Sequence, residues 1–191
     1  RLAETLGEHD RALALWQQRI DSDPGDLGAL DAVIALLESV QRWPALIAAL
    51  ELRAGKAASP AQQRADLTRV AVVCKDHLHD GARAIAAWQR VSAAFGDDAE
   101  TVGALAELLT AAGSWKELAE LLERTSGKDV DRTTARLNRL GDALAQHLRE
   151  PERALRAFRA ALAIEPTNAA ARAGLEALLD EPGQRRAAAD A

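Results

Sequence analysis

The stretch L-G-E-H-D-R-A-L-A-L-W at residues 6–16 returns as L-H-D-G-A-R-A-I-A-A-W at residues 78–88 and as L-R-E-P-E-R-A-L-R-A-F at residues 148–158. Trp16 and Trp88 stand 72 residues apart, and Trp88 and Phe158 stand 70 apart. A second register agrees. W-P-A-L-I-A-A-L-E from Trp43 returns as W-K-E-L-A-E-L-L-E from Trp115, again after 72 residues. Leu36-Leu37, Leu108-Leu109 and Leu178-Leu179 follow the same 72 and 70 spacing. Two independent registers of one length establish an internal repeat, the first property to look for in a chain.

Each period of about 72 residues holds four helices, hence two helical hairpins. Pro24-Gly25, Gly96-Asp97-Asp98 and Pro166-Thr167-Asn168 break three of them where the apolar period ends. Ser59-Pro60 and Ser114-Trp115 read as an N-cap hydroxyl followed by a first-turn residue. Glu150-Pro151 and Trp43-Pro44 place proline where a helix can begin without losing a bond. Leu118, Ala119, Leu121 and Leu122 recur at the spacing of one apolar face. The pattern predicts helices over 9–22, 27–40, 43–56, 61–78, 81–95, 99–112, 115–125, 130–148, 151–164 and 168–179, and no strand.

Composition agrees with close helix packing. Hydrophobic residues make up 48% of the 191, yet aromatics only 3%, with no Tyr or Met. Ala occurs 44 times, so the core is built from Ala and Leu. A net charge of −5 argues against nucleic acid as the partner, because phosphate binding needs clustered Lys and Arg. No run of 18 apolar residues exists to insert into a membrane. The single Cys74 fits a reducing, cytoplasmic compartment, and the Arg-rich, Lys-poor, Ala-rich usage points to a GC-rich bacterial source.

The hairpins resemble tetratricopeptide repeats. Residues 137–166 carry Leu140-Gly141 and Leu144 for the first helix, then Ala154, Phe158, Ala161 and Pro166 for the second. Residues 99–126 match through Leu105-Ala106, Leu109, Gly113, Trp115 and Leu122, with Leu118 replacing the usual alanine. Residues 67–96 match through Val70-Ala71, Cys74, Ala84 and Trp88, with Gly96 where proline is usual. Ala12, Trp16 and Pro24 supply the second half of another repeat, and residues 27–53 are the most degenerate. The resemblance implies an all-α, right-handed superhelical solenoid of antiparallel helical hairpins. About five of them form a single array over residues 1–191.

Residues of chemical type have structural readings. The four Trp lie at repeat-locked positions and are expected in the core rather than in a ligand cage. Cys74 is in register with Leu144, a packing position. His77 and His79 are two apart on a helix, so they cannot converge on one metal. His77 is in register with His147, late in a helix. No zinc, phosphate-loop or acid–base motif is present, so neither a cofactor, a metal nor a catalytic residue is predicted. Arg132, Arg136 and Arg139 share a helix face, as do Arg149, Arg153 and Arg156. Asp129, Asp131, Glu150 and Glu152 interleave with them, so the first reading is a solvated, salt-bridged face and the second a patch for an acidic partner.

In tetratricopeptide proteins the first helix of each hairpin lines a concave groove. The resemblance places Asp31, Glu38, Lys75, Asp76, Glu107, Thr110, Asn138, Asp142 and Gln146 there, a mildly acidic face without the family's clamp for terminal carboxylates. The expected work is that of a non-catalytic scaffold or adaptor holding a peptide or helix of another protein. The alternatives are a structural spacer that self-associates end to end, and a repeat domain attached to a catalytic domain elsewhere. Residues 1–7 read as the tail of a hairpin's first helix, and a further helix begins at Gln184 with Arg185 where Trp115 would repeat. The segment is therefore expected to be cut from a longer array.

Overall fold

A computed structural model describes residues 2–23, 25–56, 59–125 and 130–180. The described residues are helical or in short connections, with no strand among them. The chain divides into two compact units, residues 1–96 and 97–191.

The first unit holds α1 (Leu2–Ser22), α2 (Leu27–Ser39), α3 (Trp43–Lys56), α4 (Pro60–Asp76) and α5 (Gly81–Phe95). Each packs on the next, and connections this short make neighbours antiparallel. The second unit holds α6 (Ala99–Ala111), α7 (Trp115–Thr125), α8 (Val130–Asp142), α9 (Pro151–Ile164) and α10 (Ala169–Asp180). A π-helical turn, Ala143–Leu148, prolongs α8. Here too each helix packs on the next, and α8 also touches α10.

The chain reverses by one repeated device. Gln41, His79, Gly113 and Arg149 sit in the left-handed region at φ 56°, 52°, 68° and 55°. Just after each, a backbone N–H reaches back to the preceding helix: Arg42 to Leu37, Asp80 to Cys74, Ser114 to Leu109 and Glu150 to Leu144, all at 2.9 Å. This satisfies carbonyls that a helix end leaves without partners. Gly113 adopts that conformation freely, whereas its three counterparts carry a side chain there and hold it against strain.

Helix starts are capped by carboxylates and an amide rather than by serine. Asp26, Asp80, Asp98 and Asn168 accept from the N–H of Ala29, Arg83, Thr101 and Ala171 at 2.8–3.0 Å. The Ala29 N–H and then the Arg19 guanidinium hold the Asp26 carboxyl below its ordinary pKa. Ser59 stands at the N-cap of α4 but makes no side-chain cap bond, contrary to expectation.

Two further differences have local causes. Residues 2–22 form one continuous helix rather than the end of one and a second from residue 9. Glu8-His9-Asp10 contains no proline, and Gly7 inside a helix costs only about 1 kcal/mol relative to Ala, too little to stop it. The helix expected over 130–148 widens to π geometry from Ala143. Residues 181–191, including Arg185 and the helix expected from Gln184, lie outside the described residues.

The core follows the repeat at Phe158 and Trp88 but not at the other three Trp. Phe158 is 1% exposed and its ring is wedged between α8 and α10: a β-carbon on Gly141 or on Gly174 would lie 2.4 Å from it. Trp88, at the same place in the first unit, is 5% exposed, and Ala71, in register with Gly141, is fully buried. Trp16 was expected to match them, yet it is 39% exposed beside the exposed Leu15. Among the described residues α1 packs chiefly on α2, so its ring lacks the second wall that α8 and α10 together give Phe158. Trp43 and Trp115 are half-buried, not enclosed. Cys74 is buried as expected, and burial raises its thiol pKa.

Candidate protein-binding face

The first helices of the hairpins are α2 and α4 in one unit and α6, α8 and α10 in the other. The residues expected to face a groove fall on them, but most are already engaged.

Asp31 of α2 pairs with Arg53 of α3, and Glu38 of α2 pairs with Arg69 of α4. Arg53 also grips Asp66 through two bonds, at 2.5 and 3.0 Å, and Gln62 donates to the same carboxylate at 3.0 Å. Asp66 is 1% exposed, so this is a buried ion pair, and the Asp66 contact comes first among the causes that hold the Arg53 pKa above its ordinary value. Neither Arg53 nor Asp66 was singled out in the sequence, although an Asp on a buried helix face needs a cation. Lys75 and Asp76 are exposed at the end of α4.

In the second unit Glu107 is exposed, while Thr110 is half-buried and accepts from Arg139 Nη2 at 2.6 Å. Asn138 donates to Asn168 at 3.0 Å, and its own buried Oδ1 has no hydrogen-bond partner among the described residues. Asp142 and Gln146 line an open groove of about 470 Å³ between the α8 extension and α10, together with Arg149, Ala177 and Leu178, floored by Phe158 and Gly174. Desolvation on the groove wall raises the Asp142 carboxyl above its ordinary pKa, although the side chain reaches solvent. The π turn falls where these residues sit, a distortion that recurs at functional places in helices.

The arginine stripes separate. Arg153 pairs with Glu150 and with Glu123 at 2.6 Å, the salt-bridged face that was expected. Arg136 and Arg139 instead bond to backbone: the half-buried Arg136 donates to the Thr125 carbonyl at 2.8 Å, and the exposed Arg139 to the Ala106 carbonyl at 2.9 Å. They wall a second groove of about 350 Å³ between α6 and α8. Asp129, and the side chains of Asp131 and Arg132, lie outside what is described. Two rings also meet in register. Trp43 stacks on His77 with centroids 3.8 Å apart, and Trp115 on His147 at 3.6 Å. His77 and His147 are thus stacking partners, not merely solvated helix ends.

Among the described residues no cluster of His, Cys, Asp or Glu could hold a metal ion, and no helix is long and apolar enough to cross a membrane. No family model and no curated protein matches the chain. Among solved structures it is similar to YrrB, a TPR protein with an unusual peptide-binding site, at 16% identity over 92% of this chain and 87% of that one, TM-score 0.49. It is also similar to MamA, at 17% identity over 85% and 86%, TM-score 0.47. A third similarity is to the structure of Naa15/Naa10 bound to HypK-THB, at 17% identity over 93% of this chain but 32% of that one, TM-score 0.50. The fold is all-α and tetratricopeptide-like, and these likenesses concern fold alone.

Proposed function

We propose that this chain is a non-catalytic scaffold or adaptor that holds a peptide or a helix of another protein against the first helices of its hairpins, both units serving one array. The groove between the α8 extension and α10 carries the reading. An apolar floor of Phe158 and Leu178 accepts a side chain, and Asp142, Gln146 and Arg149 supply polar groups that orient a backbone. Catalysis has no part in the proposal.

The test is selection of a random peptide display library on the full chain, repeated with Ala177→Trp, which fills the groove from the exposed side of α10. Enriched sequences that bind the parent and lose at least tenfold in the variant support the reading. Absence of enrichment, or equal binding to both, overturns it. The exposure of Trp16 and Leu15 favours a second reading, association through α1. Sedimentation at increasing concentration, compared with Trp16→Glu, tests that separately.

A further inference from the structure

The repeat offset lays α6 and α8 over α2 and α4, and the charges do not carry across. In the first unit Asp31, Glu38 and Asp66 surround Arg53 and Arg69. In register with them, the second unit has Gly103 for Asp31, Thr110 for Glu38, Arg136 for Asp66, Thr125 for Arg53 and Arg139 for Arg69. Three carboxylates and the Arg53 guanidinium have gone, while Arg139 keeps the place of Arg69 and Arg136 adds a second guanidinium where Asp66 stood. Among the described residues, the hydrogen bonds of Arg136 and Arg139 go to neutral oxygens alone, those of Ala106, Thr110 and Thr125. These bonds hold both side chains in place yet leave most of the five N–H groups of each guanidinium to spare. Between them lies the groove of about 350 Å³, floored by the small residues Gly103, Ala106 and Ala135. Where Asp31 projects in the first unit, a β-carbon on Gly103 would meet open space.

We propose that this groove receives an aspartate or glutamate side chain of an acidic segment in a partner protein, the carboxylate bridging Arg136 and Arg139. The incoming group takes the place that the first unit fills with its own acids. Charge-assisted bonds to guanidinium groups already held by backbone carbonyls form without further ordering of long side chains. The inference rests on the scaffold reading and names the chemistry of the partner for one groove. Binding of this kind weakens as salt rises, since the groove is open to solvent.

The experiment is fluorescence anisotropy of a labelled peptide rich in Asp and Glu, amidated at its C-terminus so that side chains are its only carboxylates. It is compared with the same peptide carrying Asn and Gln. The full chain is expected to bind the acidic peptide at least tenfold more tightly. Arg136→Gln and Arg139→Gln each reduce that preference, and Arg69→Gln leaves it unchanged. Because the two arginines also tether α8 to its neighbours, the decisive variant is Gly103→Asp/Thr110→Glu. It rebuilds the first unit's own acids beside intact arginines and is expected to abolish the preference while circular dichroism stays helical. Equal affinity for both peptides, or full binding by the double variant, overturns the inference. In those cases neutral peptides that still bind leave the scaffold reading standing, whereas loss of all peptide binding removes both.

Discussion

The indole of Trp115 lies flat on the imidazole of His147, planes 2° apart, and Trp43 on His77 repeats the arrangement at 8°. In each pair a ring that opens the second helix of one hairpin meets a ring that closes the first helix of the next, which ties successive hairpins together at one edge. A double-mutant cycle of Trp115→Ala and His147→Ala is expected to give a coupling of about 0.5–1.5 kcal/mol, the range for stacked aromatic pairs. Additive losses in urea denaturation would show that the rings merely lie side by side.

The Phe158 ring leaves no space for a methyl group on either side. Gly141→Ala and Gly174→Ala should each destabilise by about 1–2 kcal/mol, overpacking outweighing the better helix propensity of alanine. Since the ring cannot retreat from one glycine without meeting the other, Gly141→Ala should be largely neutral in a Phe158→Leu background. Thermal denaturation of the four proteins checks this.

Equivalent rings should not be equivalent in stability. Trp88→Ala is expected to cost roughly 3–5 kcal/mol, as for a core aromatic, and Trp16→Ala less than about 1.5 kcal/mol because its ring already meets water. Equal losses would mean that α1 is covered in solution.

Arg53 neutralises the buried Asp66, and replacing it with Met leaves that carboxylate with Gln62 alone. Arg53→Met should therefore cost about 3 kcal/mol or more, and Arg53→Met/Asp66→Leu should recover much of it, because the buried pair itself adds little over apolar packing. Chemical denaturation of the single and double variants decides the matter.

Much of this was legible because a repeat is a statement about register. The 72 and 70 offsets predicted the buried Cys74 and the matched environments of Trp43 and Trp115. The exposure of Trp16 was not legible, since the offset identifies a position and not the neighbours that enclose it. The partners of Arg136 and Arg139 were not legible for a related reason: arginines at helical spacing among acids look ion-paired until the register shows that Glu38 has become Thr110 and Asp31 Gly103. The π turn at Ala143–Leu148 leaves no mark in a stretch of alanine and leucine that would serve equally as α-helix.

The Asp142 carboxyl, raised by desolvation, gives stability a defined slope. Between the ordinary unfolded value near 3.9 and the raised folded value, the folded chain binds more protons than the unfolded one. Stability therefore falls as pH rises through that window and stays reduced above it. Asp142→Asn should remove this part of the pH dependence and be the more stable protein at neutral pH. Urea midpoints from acid to neutral pH test the sign, and a variant that instead loses stability as pH rises would contradict it.

The ring wedged between two glycines also orders the routes by which this sequence can change. With Phe158 in place, any side chain arriving first at 141 or 174 meets a closed space, so those sites stay open to drift only after position 158 has shrunk. Once either glycine has been replaced, the way back to a large ring is barred in turn. Divergence here proceeds as a ratchet, and descendants of one ancestor should not combine the ring with a larger side chain at either neighbouring site.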